Sequence, residues 1–434
     1  MNRRQFLAAA GAGLLALRSQ RGWAARRDRR TNLLFLLSDQ FRADALGADG
    51  NTFVSTPSLD RLAAEGVRFS HAYAAQALCS PARATLITGL YPHTHGLQQN
   101  IYKVPNALAD PRYRLAVNFP ALLKKAGYTT GWIGKWHLGE ENPDCFDYWK
   151  GYNSLLPHWL GQKQKSPYRS DVETDEALRF LEQNRARPFL LGLSYYPPHT
   201  PYDPPEKFLR LFEGRNIDHP EYYAAAAAVD FNVGRVLDGL RKLGLANNTL
   251  VVFTADHGET FGRRPFSSNK TVCYEESARV PLLLRHPRLL PRGKVWTSGV
   301  NSVDVMPTLL AAAGLPIPGG VQGRSLLEVV RSGRDRWDRP IILQNITQKA
   351  RDGEQPVERA VRTERWKLIL REFSADHDRR MDELYDLESD PGERYDLFPQ
   401  AESAGRVKEL SRMLLDWGRR YEDEVAVRLA LRYA

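Results

Sequence analysis

The sequence predicts an α/β fold, a mainly parallel central sheet flanked by helices, followed by a small C-terminal α+β subdomain. Three observations carry this. Residues 32–37, 189–194 and 249–254 are uninterrupted apolar runs, the pattern of strands buried on both faces of a parallel sheet. The stretches between them carry helical spacing and cap signals. Each run is also followed by polar residues: Ser38-Asp39-Gln40, then Pro197-Pro198-His199, then Asp256-His257-Gly258. Open α/β sheets bind ligands outside the carboxyl ends of their strands, so these three segments predict one shared site.

Taken in order, residues 1–25 come first. Arg3-Arg4 is followed by Phe6-Leu7, a short Ala/Gly-rich apolar stretch over 8–17, and small residues at Trp23-Ala24-Ala25. The stretch is about ten residues, where a bilayer span needs about twenty. The layout is that of a twin-arginine export signal, followed by a basic linker over 26–30. It predicts a folded protein passed to the twin-arginine machinery, periplasmic or secreted in a bacterial setting, with no stable membrane anchor.

A helix is predicted over 57–65, with Thr56 as cap and Pro57 at its first position. Further helices are predicted over 118–126 and 222–243. The chain turns polar around 331–339, then shows short strands near 340–343 and 366–370 and a closing helix over 404–421. The predicted division is an export signal over 1–25, a catalytic domain over 26–335 and a C-terminal subdomain over 336–434.

Of the 434 residues 42% are hydrophobic, enough for a large core, and the net charge is +10. No basic run alternates with aromatics, so the charge points to an anionic substrate rather than nucleic acid. The three cysteines, Cys79, Cys145 and Cys273, exclude a disulfide scaffold. With Cys79 committed to chemistry, only a Cys145–Cys273 bridge would remain, and the sequence gives no sign that the two meet.

The chemistry starts at Cys79-Ser80-Pro81-Ala82-Arg83, which runs on through Thr88-Gly89 to His95-Gly96. A second block is Gly127-Tyr128-Thr129-Thr130-Gly131-Trp132-Ile133-Gly134-Lys135-Trp136-His137-Leu138-Gly139. With Asp39, His199, Asp256-His257-Gly258 and Leu384-Tyr385-Asp386-Leu387, these segments closely resemble the sulfatase family of the alkaline-phosphatase superfamily, over residues 31–397 or so. The resemblance implies an alkaline-phosphatase-like sandwich and a sulfuric ester hydrolase. It implies that Cys79 is oxidised to formylglycine by a maturation enzyme, and that Arg83 orients the modified residue. A hydrated aldehyde offers one hydroxyl to attack sulfur and a second whose proton loss expels sulfate, a route closed to a serine ester.

By the same resemblance Asp39, Gln40, Asp256, His257 and the residue made from Cys79 hold a divalent metal. Carboxylates suit Ca²⁺ or Mg²⁺, and an imidazole admits Mn²⁺ or Zn²⁺; Ca²⁺ is expected first, with Mn²⁺ or Mg²⁺ as alternatives. Many members have two adjacent Asp residues where this chain has Asp39-Gln40, and Asp-Asn where it has Asp256-His257. That pairing resembles choline sulfatases and phosphonate monoester hydrolases.

Lys135, His137, His199 and Lys270 are implied to bind the sulfate, and His137, His199 or Lys270 to protonate the leaving alcohol. Lys135 and His137 would share one face if their segment is extended. Asn100 falls where Asp-Gln relatives contact substrate. His95 is expected to support the modified residue from behind, with His93 a loop residue. The aromatics Tyr148-Trp149, Tyr152 and His158-Trp159 could either line the cleft or pack. The expected substrate is a sulfated small molecule or glycan. The alternatives are a phosphonate or phosphate ester hydrolase with the same machinery, and a non-catalytic sulfoglycan-binding protein.

Overall fold

The computed structural model describes residues 30–267, 269–346, 356–373 and 381–434. The export-signal stretch, 1–25, lies outside the described residues. In chain order the strands are β1 (Asn32–Asp39), β2 (Val67–Phe69), β3 (Ala72–Tyr73), β4 (Thr129–Lys135), β5 (Tyr148–Tyr152), β6 (Phe189–Pro198), β7 (Thr249–Ala255), β8 (Arg279–Val280), β9 (Leu282–Arg285), β10 (Lys294–Trp296), β11 (Val300–Asn301), β12 (Ile341–Ile346), β13 (Pro356–Arg362), β14 (Trp366–Phe373) and β15 (Glu383–Asp386). The large sheet has eight strands in the order β10-β2-β9-β7-β1-β6-β4-β5. The three apolar runs sit side by side at its centre.

β1 is buried throughout and pairs in parallel with β6 on one side and β7 on the other. The registers align the strand ends, with Ser38 opposite Tyr195 and Ala255. A bulge then shifts the register so that Asp39 faces Pro198, and bulges of this kind re-aim a side chain at a strand's end. β4 joins β6 in parallel, and Gly134 lets it come close: a Cβ there would lie 2.1 Å from the Ser194 carbonyl oxygen. Lys135 is thereby delivered beside Asp39. Only β9 breaks the parallel pattern, pairing antiparallel with β7 and β2.

Helices cover the sheet. Phe119 stacks edge-on against Phe35 of β1, with ring centroids 5.8 Å apart. The predicted helices appear as Pro57–Ala64, Phe119–Lys125 and Pro220–Lys242. Asn118 caps the second through a bond from Ala121 N at 2.9 Å. Thr56 does not cap the first. Its hydroxyl donates to Asp60 and accepts from Gly47 N, and the helix's free amides go instead to Asp230, reached from Ser58 N at 3.2 Å and Leu59 N at 2.8 Å. A carboxylate from a neighbouring helix does the capping because it satisfies two amides where a threonine hydroxyl satisfies one.

The C-terminal strands form an antiparallel sheet in the order β12-β13-β14-β15. Alternation gives it two apolar faces. Ile342, Val361, Leu368 and Leu384 pack under the helix Ala404–Tyr421, on Leu410 and Leu414. Ile341, Leu343, Ala360 and Ile369 pack on Tyr73, Val272 and Tyr274 of the larger part. All three cysteines are free and buried. Among the described residues no helix is long and apolar enough to cross a membrane.

Candidate active site

The ten-residue helix Cys79–Thr88 is buried along its whole length and starts at Cys79. Its N-cap, Leu78, offers no side-chain bond; Asn100 fills the role from a distance, its Oδ1 accepting from Ser80 N at 2.9 Å. Cys79 therefore sits at the positive end of a fully enclosed helix dipole. Asn100 is here a support of that helix.

The Cys79 sulfur lies among the three strand ends. Its Sγ is 3.2 Å from His257 Nε2, 3.8 Å from Asp39 Oδ1 and 3.4 Å from Lys270 Nζ. One donor atom each from Asp39, Cys79, Asp256 and His257 lies within 4.8 Å of all the others. His257 donates from Nδ1 to the Gly258 carbonyl at 2.9 Å, which turns Nε2 to the cluster; burial opposes its protonation, but the charge of Asp256 raises its pKa overall. Two buried carboxylates, one imidazole nitrogen and the Cys79 side chain form a donor set that suits a divalent cation.

Arg83 ties this set together. Its Nε donates to Asp256 Oδ2 at 2.9 Å and its Nη2 to Asp39 Oδ2 at 3.0 Å, while Nη1 reaches the Lys135 carbonyl and Ser194 Oγ. Lys135 Nζ pairs with Asp39 Oδ2 at 2.5 Å and lies over the Tyr196 ring at 4.5 Å. Lys270 Nζ meets Gln40 Oε1 at 2.9 Å and His199 Nε2 at 3.0 Å. His199 donates from Nδ1 to the Thr200 carbonyl, fixing its tautomer.

Charge follows from this packing. Burial opposes ionisation of Asp39, as does the Cys79 sulfur, but Lys135 and Arg83 hold it well below the ordinary carboxylate range. Burial, and then the charge of Asp39, push Asp256 up. Burial would raise the Cys79 thiol, yet Lys135, Lys270 and His257 bring it well below its usual value. Burial and then Lys135 push His137 down to about 4, and burial and then Lys270 lower His199. His137 is therefore neutral near pH 7.

The expected residues converge, with corrections of detail. The segment after β4 is not extended: His137 has φ +57°, because the chain turns sharply past Lys135. Its carbonyl accepts from Ser80 Oγ at 2.9 Å, and its buried ring lies beneath the exposed ring of Tyr102 at 5.5 Å. Gln40 turns its side-chain oxygen to Lys270. His95 supports the helix rather than Cys79 itself, bonding Thr85 Oγ1 at 3.1 Å. His93 lies in the helical turn Pro92–His95, not in a loop, and bonds the Tyr421 carbonyl and Gln344 of the C-terminal part. Most of the aromatics pack: Trp149 on Phe146, and Trp159 bonded to the Asp203 carbonyl. Two of them touch site residues: His158 bonds the His199 carbonyl at 2.9 Å, and Tyr152 pairs with Lys135 across the sheet and packs edge-on to Tyr196.

Three contributors escape sequence reasoning: Ser194, Tyr196 and Glu259. Glu259 is fully buried and accepts from the Gln40 amide and the Tyr202 hydroxyl. Its signal was present, two residues after His257, but a lone Glu past a motif reads as surface.

Comparison with known proteins bears on the geometry. The Sulfatase family model matches residues 31–315, and the model described as N-sulphoglucosamine sulphohydrolase, C-terminal, matches residues 266–419. The ulvan-active sulfatase of Formosa agariphila is 32% identical over 377 residues, 77% of this chain and 72% of that one. The N-acetylglucosamine-6-O-sulfatase of Bacteroides thetaiotaomicron is 28% identical over 91% of this chain and 87% of its own. A solved structure in complex with its substrate D-glucosamine-2-N,6-O-disulfate superposes with a TM-score of 0.77 at 26% identity, covering 91% of this chain and 99% of that chain.

Proposed function

The chain belongs to the sulfatase family and is a sulfuric ester hydrolase, and from that premise we propose that it cleaves sulfate monoesters of a carbohydrate with a formylglycine made from Cys79. The observation that carries this is the position of Cys79, with the donor cluster on one side and Lys270 on the other. Asp39, Gln40, Asp256, His257 and the side chain at 79 would hold the metal, Ca²⁺ first, with Mn²⁺ or Mg²⁺ as alternatives. When bound, such an ion lowers the pKa of an adjacent hydroxyl and polarises sulfate oxygens. The formylglycine hydrate supplies two hydroxyls on one carbon, one for attack and one for release of sulfate.

The remaining work falls to side chains. Arg83 fixes both carboxylates and offsets part of their mutual repulsion. Lys135 and Lys270 bring positive charge to the sulfate oxygens, where negative charge grows as the ester bond breaks. His137, neutral near pH 7, can give a hydrogen bond to a sulfate oxygen but is no acid, and the proton for the leaving alcohol comes from Lys270, 3.4 Å from Cys79 Sγ. The carbohydrate class is supported by the sulfated-sugar names of the relatives, and a twin-arginine signal in residues 1–25, as expected from the sequence, would send the enzyme to the periplasm or outside the cell.

The test is the mass of the tryptic peptide over 69–83, from protein made with a maturation enzyme, together with turnover. An aldehyde in place of the thiol, with hydrolysis of a sulfated monosaccharide, is the expected result. Unmodified cysteine in active protein would overturn the mechanism. A higher kcat/KM for an aryl phosphonate than for an aryl sulfate would move the reading to the phosphonate esters that Gln40 and His257 suggest.

A further inference from the structure

Two large apolar side chains stand exposed at the edge of the site. Tyr102 is 49% exposed, and its ring lies over that of His137 with centroids 5.5 Å apart. His137 is buried and in hydrogen-bonding reach of the Cys79 sulfur, which stands where the reacting oxygen of formylglycine would be. The segment carrying Tyr102 is pinned to the Cys79 helix: Asn100 Oδ1 accepts from Ser80 N at 2.9 Å, and Ile101 N donates to Ser80 Oγ at 3.3 Å. The loop after β5 meets this segment, Asn153 Nδ2 donating to the Ile101 carbonyl at 3.4 Å. The next residue, Ser154, lies beside Tyr196, whose ring covers Lys135 Nζ and faces the His199 ring at 4.9 Å. Leu155 follows, 71% exposed and with φ +63°. Leucine seldom takes that left-handed backbone, and the bend leaves its side chain in water. Neighbouring apolar groups left in water at the mouth of a site mark where an apolar surface of a ligand rests.

The charged groups around Cys79 suit a sulfate and read nothing of the molecule that carries it. A pyranose ring offers what this edge can bind. Its hydroxyls point outward around the ring, and its C–H bonds leave an apolar face that rests on the electron-rich face of an aromatic ring. We propose that Tyr102, with Leu155 beside it, is the surface on which the sugar ring bearing the sulfate rests, so that these two residues set a preference for sulfated pyranoses over sulfate esters without a ring. This rests on the carbohydrate reading above. A tyrosine suits the task because it gives a large rigid contact with only two torsions to order. The contact is the same before and during bond cleavage, so it acts on KM rather than on kcat.

The experiment uses the full, matured, metal-loaded chain as wild type, Tyr102→Ala, Tyr102→Phe and Leu155→Ser. It measures KM and kcat for a sulfated N-acetylglucosamine, and the affinity for inorganic sulfate by calorimetry. Tyr102→Ala is expected to raise KM about tenfold, the loss falling on KM and not on kcat. Leu155→Ser is expected to raise it about threefold. Tyr102→Phe keeps the ring and is expected to stay within about twofold of the wild-type KM. Inorganic sulfate has no ring, so its affinity is expected to change less than about twofold in any variant. Both side chains are exposed, so the substitutions leave the fold in place, which thermal melts check. A wild-type KM in Tyr102→Ala would overturn the proposal. So would an equal loss of inorganic sulfate affinity, since Tyr102 would then act by holding His137. Tyr102→Phe as poor as Tyr102→Ala would also overturn it, because the hydroxyl and not the ring face would be the contact. A wild type that hydrolyses an alkyl sulfate but no sulfated sugar would sink the carbohydrate reading itself, and this proposal with it.

Discussion

At the scale of single residues, the site depends on groups that the surrounding protein leaves only one way to behave. His257 has one tautomer, Arg83 has one orientation, and Lys135 is paired before any substrate arrives. Not every buried group is so fully matched. Glu173 is buried; one oxygen accepts from the Tyr152 hydroxyl at 3.2 Å and the other has no partner among the described residues. Burial pushes its carboxyl up to about 8, more than nearby Arg169 pulls it down. Unfolded, the group loses its proton near 4.5. Between those values the folded chain binds more protons than the unfolded one, so stability falls as pH rises. The contribution is whole below the lower value and lost above the higher. Glu173→Gln keeps the neutral shape, so it is expected to gain on wild type as pH rises from about 5 to about 8.5, by about 1–3 kcal/mol, the cost of a buried polar group without full bonding. Thermal melts across that range measure it, and parallel curves for the two proteins would refute it. The motif residues were legible in the sequence because their types and spacing are specific. Glu173 and Glu259 were not, since only the fold tells that a carboxylate is buried.

At the scale of elements, continuous apolar strands were the easiest feature to read. β1, β6 and β7 were anticipated within four residues at each end, because parallel strands covered on both faces leave an unbroken signature. β13 was missed for the opposite reason. Its Glu358, Arg359 and Arg362 suggest an exposed segment, yet all three are buried, Glu358 against Arg371 and Arg359 against Asp423. Paired charges erase the period-two pattern. Helix ends were read well where the cap is local, as at Asn118, and poorly where it comes from far along the chain. Asp230, in the long helix Pro220–Lys242, caps the helix Pro57–Ala64 through two amides and so joins the two. Asp230→Ala is expected to cost about 1–2 kcal/mol, the upper range for losing a cap. Asp230→Asn keeps one acceptor and should cost less. Denaturant midpoints separate the two, and equal losses would mean that burial rather than capping sets the effect.

At the scale of the whole molecule, the question is whether the proposed division at residues 335 and 336 separates two folding units. The packing argues that it does not. One face of the β12–β15 sheet is sealed onto Tyr73, Val272 and Tyr274. Lys367 of β14, fully buried, pairs with Glu275 at 2.7 Å across that boundary, and with Glu393 at 2.7 Å. The contact also reaches the active site. Gln344 N bonds the Ala75 carbonyl at 2.8 Å, and Asn345 Oδ1 accepts from Ala77 N at 3.2 Å, two residues before the Cys79 helix begins. Removing residues 336–434 would expose that apolar face, orphan two backbone groups beside the nucleophile and leave Glu275 without its lysine. Breaking a buried ion pair alone costs about 3–5 kcal/mol, against a total stability of about 5–15 kcal/mol for a typical domain. A fragment spanning residues 26–335 is therefore expected to be insoluble, or to melt without a cooperative transition and to show no sulfatase activity. Expression of the fragment followed by calorimetry measures this. A soluble fragment with one sharp transition would make the C-terminal sheet an appendage, and the support of the Cys79 helix would then have to come from the large sheet alone.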